Sequence, residues 1–232
     1  MEGDGIPFVN RLVRGALVQL IPDIIAFIPN IVIFQYNPEK MTRSLTPYSA
    51  TPATNGGKVM TAPDAQPFNP EEKISFALHL NATEGLSAYN PITMATGVAS
   101  RIAALRKMVK PTSGMLSDIK GSAMALKNKT SANALSRPSQ PMTFLIYGPG
   151  LILPVRITTF SVEETLHTPL LYPYDATVTL ELSVQTPEQF CCSNIPFKDL
   201  AVSAYNLTKL QEDALALANA ANGVEDILSL FL

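Results

Sequence analysis

Residues 142–185 read MTFLIYGPGLILPVRITTFSVEETLHTPLLYPYDATVTLELSVQ. Three strand-like runs lie within it, at 142–147, 153–166 and 176–185, with turn signals between them and no helical run. In the last run Val178, Leu180, Leu182 and Val184 alternate with Thr177, Thr179, Glu181 and Ser183, the period of a strand with one buried face. In the middle run Val155 and Ile157 fall on one face and Phe160 and Val162 on the other. A bulge near Thr158-Thr159 would bring all four to the same side. Strands that follow one another without helices favour antiparallel pairing.

Working outward, the residues before this block supply more strands. Residues 71–80 (EEKISFALHL) alternate cleanly, with Ile74, Phe76, Leu78 and Leu80 on one face. Residues 15–21 and 30–36 also read as strands, and Pro22-Asp23 and Pro29-Asn30 between them suggest a hairpin. The second of these must stop at Asn37-Pro38, where Pro38 cannot donate to a ladder and Asn37 favours a turn. Phe34 and Tyr36 should then share a face, with Gln35 on the other. Residues 93–109 carry apolar side chains at helical spacing up to Pro111. The Pro-rich stretch 47–70 and the segment 110–140 read as long loops. The fold class expected is α+β: a mainly antiparallel β-barrel or sandwich with one packed helix.

The C-terminus has a different pattern. Leu207, Leu210, Ala214, Leu217, Ala221, Val224, Leu228 and Phe231 are spaced alternately three and four apart, an a/d heptad seam that Gly223 weakens as one continuous helix. Such a helix can dock on its own domain or on a neighbouring subunit, and the spacing fits both. The chain divides accordingly into a β domain, 1–195, and a helical extension, 196–232.

Composition limits the function. The 232 residues are 47% apolar and only 16% charged, against about a quarter charged in an ordinary globular domain. That excludes a disordered chain and suggests that partners cover part of the surface. The formal charge of −2 argues against nucleic acid as a general partner. Within 99–140 eight basic residues face one acid, Asp118, for a net +7 that leaves −9 elsewhere. This segment reads as a solvated loop or as a contact for an acidic protein.

Candidates for chemistry are few. The only cysteines, Cys191 and Cys192, are adjacent and read as free thiols of a reducing compartment. His79 and His167 lack a further ligand at metal spacing. Glu163 and Glu164 point to opposite faces of a strand and cannot form a dyad. Gly148-Pro149-Gly150 lacks the Lys-Ser/Thr of a phosphate loop, and no GxSxG occurs. The chain therefore reads as non-enzymatic, with no catalytic, cofactor or metal residues. The acidic N-terminus does not read as a secretory signal, and the greasiest run, residues 24–36, is too short to span a bilayer. Synthesis in the cytoplasm is expected.

Phe34-Gln35-Tyr36-Asn37-Pro38, followed by Arg43, resembles the FQYNP-x-x-Leu-x-Arg opening shared by tube-domain proteins of contractile injection systems, the phage-tail-like particles. ISFALHLNATEG, RIAALRKMVKP and the 144–186 block resemble later family blocks, in the same order. The resemblance covers roughly residues 14–190. It implies a tail-tube-type β domain in a hexameric ring of the baseplate, joining the spike or hub to the inner tube protein, in a particle that is released or membrane-docked. It implies no cofactor, no nucleic acid and no membrane span. Many relatives carry a LysM domain next; here the heptad segment follows, and Leu207, Leu210, Leu217, Leu228 and Phe231 become the expected partner contacts. Two alternatives stand beside the hub reading: a tube-end or cap-side adaptor of the same particle, and a small-ligand-binding β-barrel.

Overall fold

In the computed structural model the strands are β1 (Ala16–Ile21), β2 (Ile28–Ile33), β3 (Met41–Thr46), β4 (Glu71–Asn81), β5 (Met142–Tyr147), β6 (Leu151–His167) and β7 (Pro173–Val184). The helices are α1 (Thr83–Ser87), α2 (Pro91–Thr96), α3 (Ala99–Val109), α4 (Met115–Asn128) and α5 (Lys198–Leu230). The structure describes residues 13–21, 28–47, 68–112, 114–128, 140–190 and 195–230. The expected loop at 47–70 and the Cys191-Cys192 pair fall mostly or wholly outside them.

All seven strands form one antiparallel sheet in the order β2-β1-β5-β6-β7-β4-β3. The class is α+β, as expected, but the barrel or sandwich is not formed. Among the described residues β2 pairs only with β1 and β3 only with β4, so the sheet is open. Alternation along a strand dictates which face is buried; it does not dictate whether the first and last strands meet. Here the buried face is filled by α3 instead of a second sheet. Ile102, Leu105 and Met108 of α3 pack among Ile74, Phe76, Leu78 and Leu80 of β4 and Val178, Leu180, Leu182 and Val184 of β7.

The bulge in β6 lies where the sequence places it. Ile157 pairs with Leu182 and Thr159 with Glu181, so Thr158 is the extra residue. Its hydroxyl donates to the Glu181 carbonyl at 3.0 Å. Val155, Ile157, Phe160 and Val162 consequently all stand opposite the inward row of β7.

The strands at 15–21 and 30–36 pair as β1 and β2, with Ala16 opposite Ile33, although β2 ends at Ile33. Pro29 sits inside β2 and is tolerated because β2 is an edge strand. The helix read over 93–109 is divided at Gly97. Its φ is +56°, and a Cβ there would lie 2.2 Å from the Pro173 carbonyl oxygen. Only glycine permits this close approach of the β7 start. The following amide, Val98, donates to that same oxygen at 2.9 Å. Asn90 caps α2 by accepting from the amides of Ile92 and Thr93.

Two elements are not among those expected: β3, for which the sequence assigns no element, and α4, which lies in an expected loop. β3 is an edge strand with five exposed positions, so it shows no alternation to read. α4 occupies part of the 110–140 stretch; Leu116, Ile119 and Met124 on it are exposed, so no buried stripe marks it. Asp118 on α4 meets Lys107 and the Thr112 hydroxyl. The C-terminal segment forms a single helix of 33 residues that runs straight through Gly223.

Candidate functional site

The residues of the FQYNP segment build a corner between strands. Phe34 is fully buried; its ring lies 5.6 Å from that of Phe76, and its amide donates to the Gly15 carbonyl at 2.8 Å. Gln35 is buried as well, because the chain leaves the strand geometry after Ile33. The expected alternation of Phe34 and Tyr36 against Gln35 therefore does not hold. Gln35 Oε1 accepts from the Asn81 amide at 2.9 Å and from Arg101 at 2.8 Å, which joins this corner to β4 and α3. Tyr36 is exposed. Asn37 acts at long range instead of closing a local turn: its Oδ1 accepts from the Gly15 amide and its Nδ2 donates to the Val13 carbonyl, both at 2.9 Å. The side-chain amide thus pairs with the chain entering β1 much as another peptide would. Pro38 follows, half-buried, outside any strand.

Arg43 on β3 has a partner on each side. Its guanidinium contacts Glu72 of β4 at 2.6 Å and Glu212 of α5 at 2.9 Å. Burial lowers its pKa, but the hydrogen bonds and charges of the two carboxylates outweigh that and hold it above the ordinary value. One arginine therefore ties the edge of the sheet to the terminal helix. Nearby, burial pushes the Tyr205 phenol up, helped by the charges of Glu188, Glu72 and Glu212.

The first third of α5 lies on the outer face of the sheet. Ala201 and Ala204 pack with Leu20, Phe144 and Phe190. Thr208, 3% exposed, accepts from the Ile152 amide at 3.0 Å and donates to the Ile152 carbonyl at 2.9 Å. β7 ends at Val184, so β6 extends past it with open backbone groups. The Gln185 amide takes the Pro154 carbonyl, and Thr208 takes both groups of Ile152. The docking face is thus made of Ala201, Val202, Ala204, Tyr205 and Thr208. They recur at helical spacing, but small and polar side chains are masked in the sequence by the leucines beside them.

The heptad residues lie elsewhere. Leu207, Leu210 and Leu217 are 52%, 67% and 74% exposed, and every residue from 209 to 220 is exposed. The side chain of Leu228 and all of Phe231 lie outside the described residues.

The remaining candidates form no reaction centre among the described residues. His79 contacts the Thr177 hydroxyl, and His167 approaches Glu164, which also faces Arg106. No group of three or more His, Cys, Asp or Glu is placed to hold a metal among the described residues. Gly148 has φ +74° in the turn between β5 and β6. A cleft of about 500 Å³ opens beside the end of β3, lined by Thr46, Phe68, Asn69, Glu71 and Glu188 among others. No described helix is long and apolar enough to cross a membrane. No protein-family model matches the chain, and no curated protein matches it.

Proposed function

We propose that this chain is a non-enzymatic ring subunit of a contractile injection system, joining the spike or hub of the baseplate to the inner tube. The observation that carries this reading is the open sheet, in which, among the described residues, β2 and β3 at opposite ends each pair on one side only. A strand edge is a row of unpaired donors and acceptors and is normally protected in a monomer. β2 adds exposed Ile31 and Ile33 beside the edge that no described strand pairs. Two different edges on one subunit suit head-to-tail contacts, which close into a ring when the rotation allows. The four sequence blocks in family order support the tail-tube type of this sheet. The exposed part of α5 stands where the resembled family carries LysM and serves as a contact between subunits of the assembly.

Removing the chain from producing cells tests the reading. The expected result is loss of particles that carry a tube attached to a baseplate. Normal particles without this chain would overturn it.

A further inference from the structure

We infer that α5 uses its leucine seam to bind the same helix of a second copy of this chain. The inference starts from the two faces of the helix. In heptad terms Leu207 and Ala214 are a positions, and Leu210 and Leu217 are d positions. Thr208 and Glu212, which hold α5 to its own sheet, are b and f. Ala204, also packed on the sheet, is an e position, and at about 100° per residue this b/e/f face is centred roughly 120° from the a/d seam. The cis contact therefore fixes the helix with its seam turned outward, and the seam cannot reach the sheet without breaking the Thr208–Ile152 and Glu212–Arg43 contacts.

The spacing selects the occupant. An a/d repeat sustained over more than three heptads fits another helix with the same repeat, because knobs then enter holes along the whole length. A sheet or a loop offers no such period. The flanking positions permit a like partner in parallel. The g-to-e pairs between two copies would be Asn206 with Gln211, Asp213 with Ala218, and Ala220 with Glu225, and none sets like charges together. Parallel is also the orientation of neighbouring copies in a ring whose helices run along its axis. Ala218, Ala220 and Ile227 at the e and g positions widen the apolar stripe. The inference rests on the ring reading for the number of copies that meet and for their parallel orientation.

The test uses the full chain. In a background with Cys191 and Cys192 changed to Ser, Leu217→Cys and Ala216→Cys are compared under mild oxidation. Both positions are exposed, and only 217 lies on the seam. The expected result is copy-to-copy disulfide formation at 217 and little at 216. In the chain with its native cysteines, sedimentation should show concentration-dependent association that Leu210→Asp with Leu217→Asp abolishes, with melting unchanged. A chain that stays monomeric at all concentrations, or equal cross-linking at 216 and 217, overturns the inference. A six-fold ring without the 217 contact would overturn it alone; the 217 contact in a particle of other symmetry would overturn only the ring reading.

Discussion

The Thr208 hydroxyl binds both backbone groups of Ile152, accepting from its amide and donating to its carbonyl. A helix side chain thereby completes a strand ladder past the end of the neighbouring strand, and it does so in a buried position. Thr208→Val keeps the shape and removes the hydroxyl. It leaves an amide and a carbonyl without partners, a cost of about 1–3 kcal/mol. Chemical denaturation checks this, with Thr208→Ser expected to restore most of the loss. A valine variant as stable as the parent contradicts the assignment.

Tyr205 gives a pH dependence. Burial, and then the charges of Glu188, Glu72 and Glu212, raise its pKa, so the folded chain keeps the phenol proton longer than the unfolded chain. The stability this group contributes is complete below about pH 10 and is lost as pH rises through the higher folded value. Above about pH 10, the parent should lose stability more steeply than Tyr205→Phe. Parallel stability–pH curves for the two proteins would count against this account of the helix seat.

Asn37 joins the exit of β2 to the entry of β1 through two hydrogen bonds. Asn37→Ala should cost about 1 kcal/mol, since the contact is solvent-accessible and water replaces part of it. Melting identical to the parent would show that the corner holds without it.

What the sequence reveals of this fold follows from what each element buries. β4 and β7 are legible because one face is buried along nearly their full length. The bulge at Thr158 is legible because the inward row changes phase. β3 buries almost nothing and leaves no period. The break at Gly97 is hidden because apolar spacing continues across it, and its cause, the Pro173 carbonyl, is 76 residues away in sequence. In α5 the visible leucine pattern lies on the exposed face, while the seat on the sheet is written in Ala201, Ala204 and Thr208. Small and polar residues give no signal until the strand end they complete is in view. The closure expected of the sheet had no basis in alternation alone.

Glu212 meets Arg43 of the sheet, and the described side chains after it, at 213–220, are exposed. Removing residues 213–232 takes away no described side chain that is buried. Stability should stay within about 0.5 kcal/mol of the full chain, while incorporation into particles falls. Truncated chains that assemble as well as the parent would end the assembly role of the helix.

The ring itself is the central claim, and the symmetry of this chain in the assembled particle tests it most directly. A cryo-electron-microscopy map of the baseplate end should place six copies around the tube axis, with the β2 edge of each copy facing the β3 side of the next. A single copy, or copies that share no sheet-edge contact, would contradict the account.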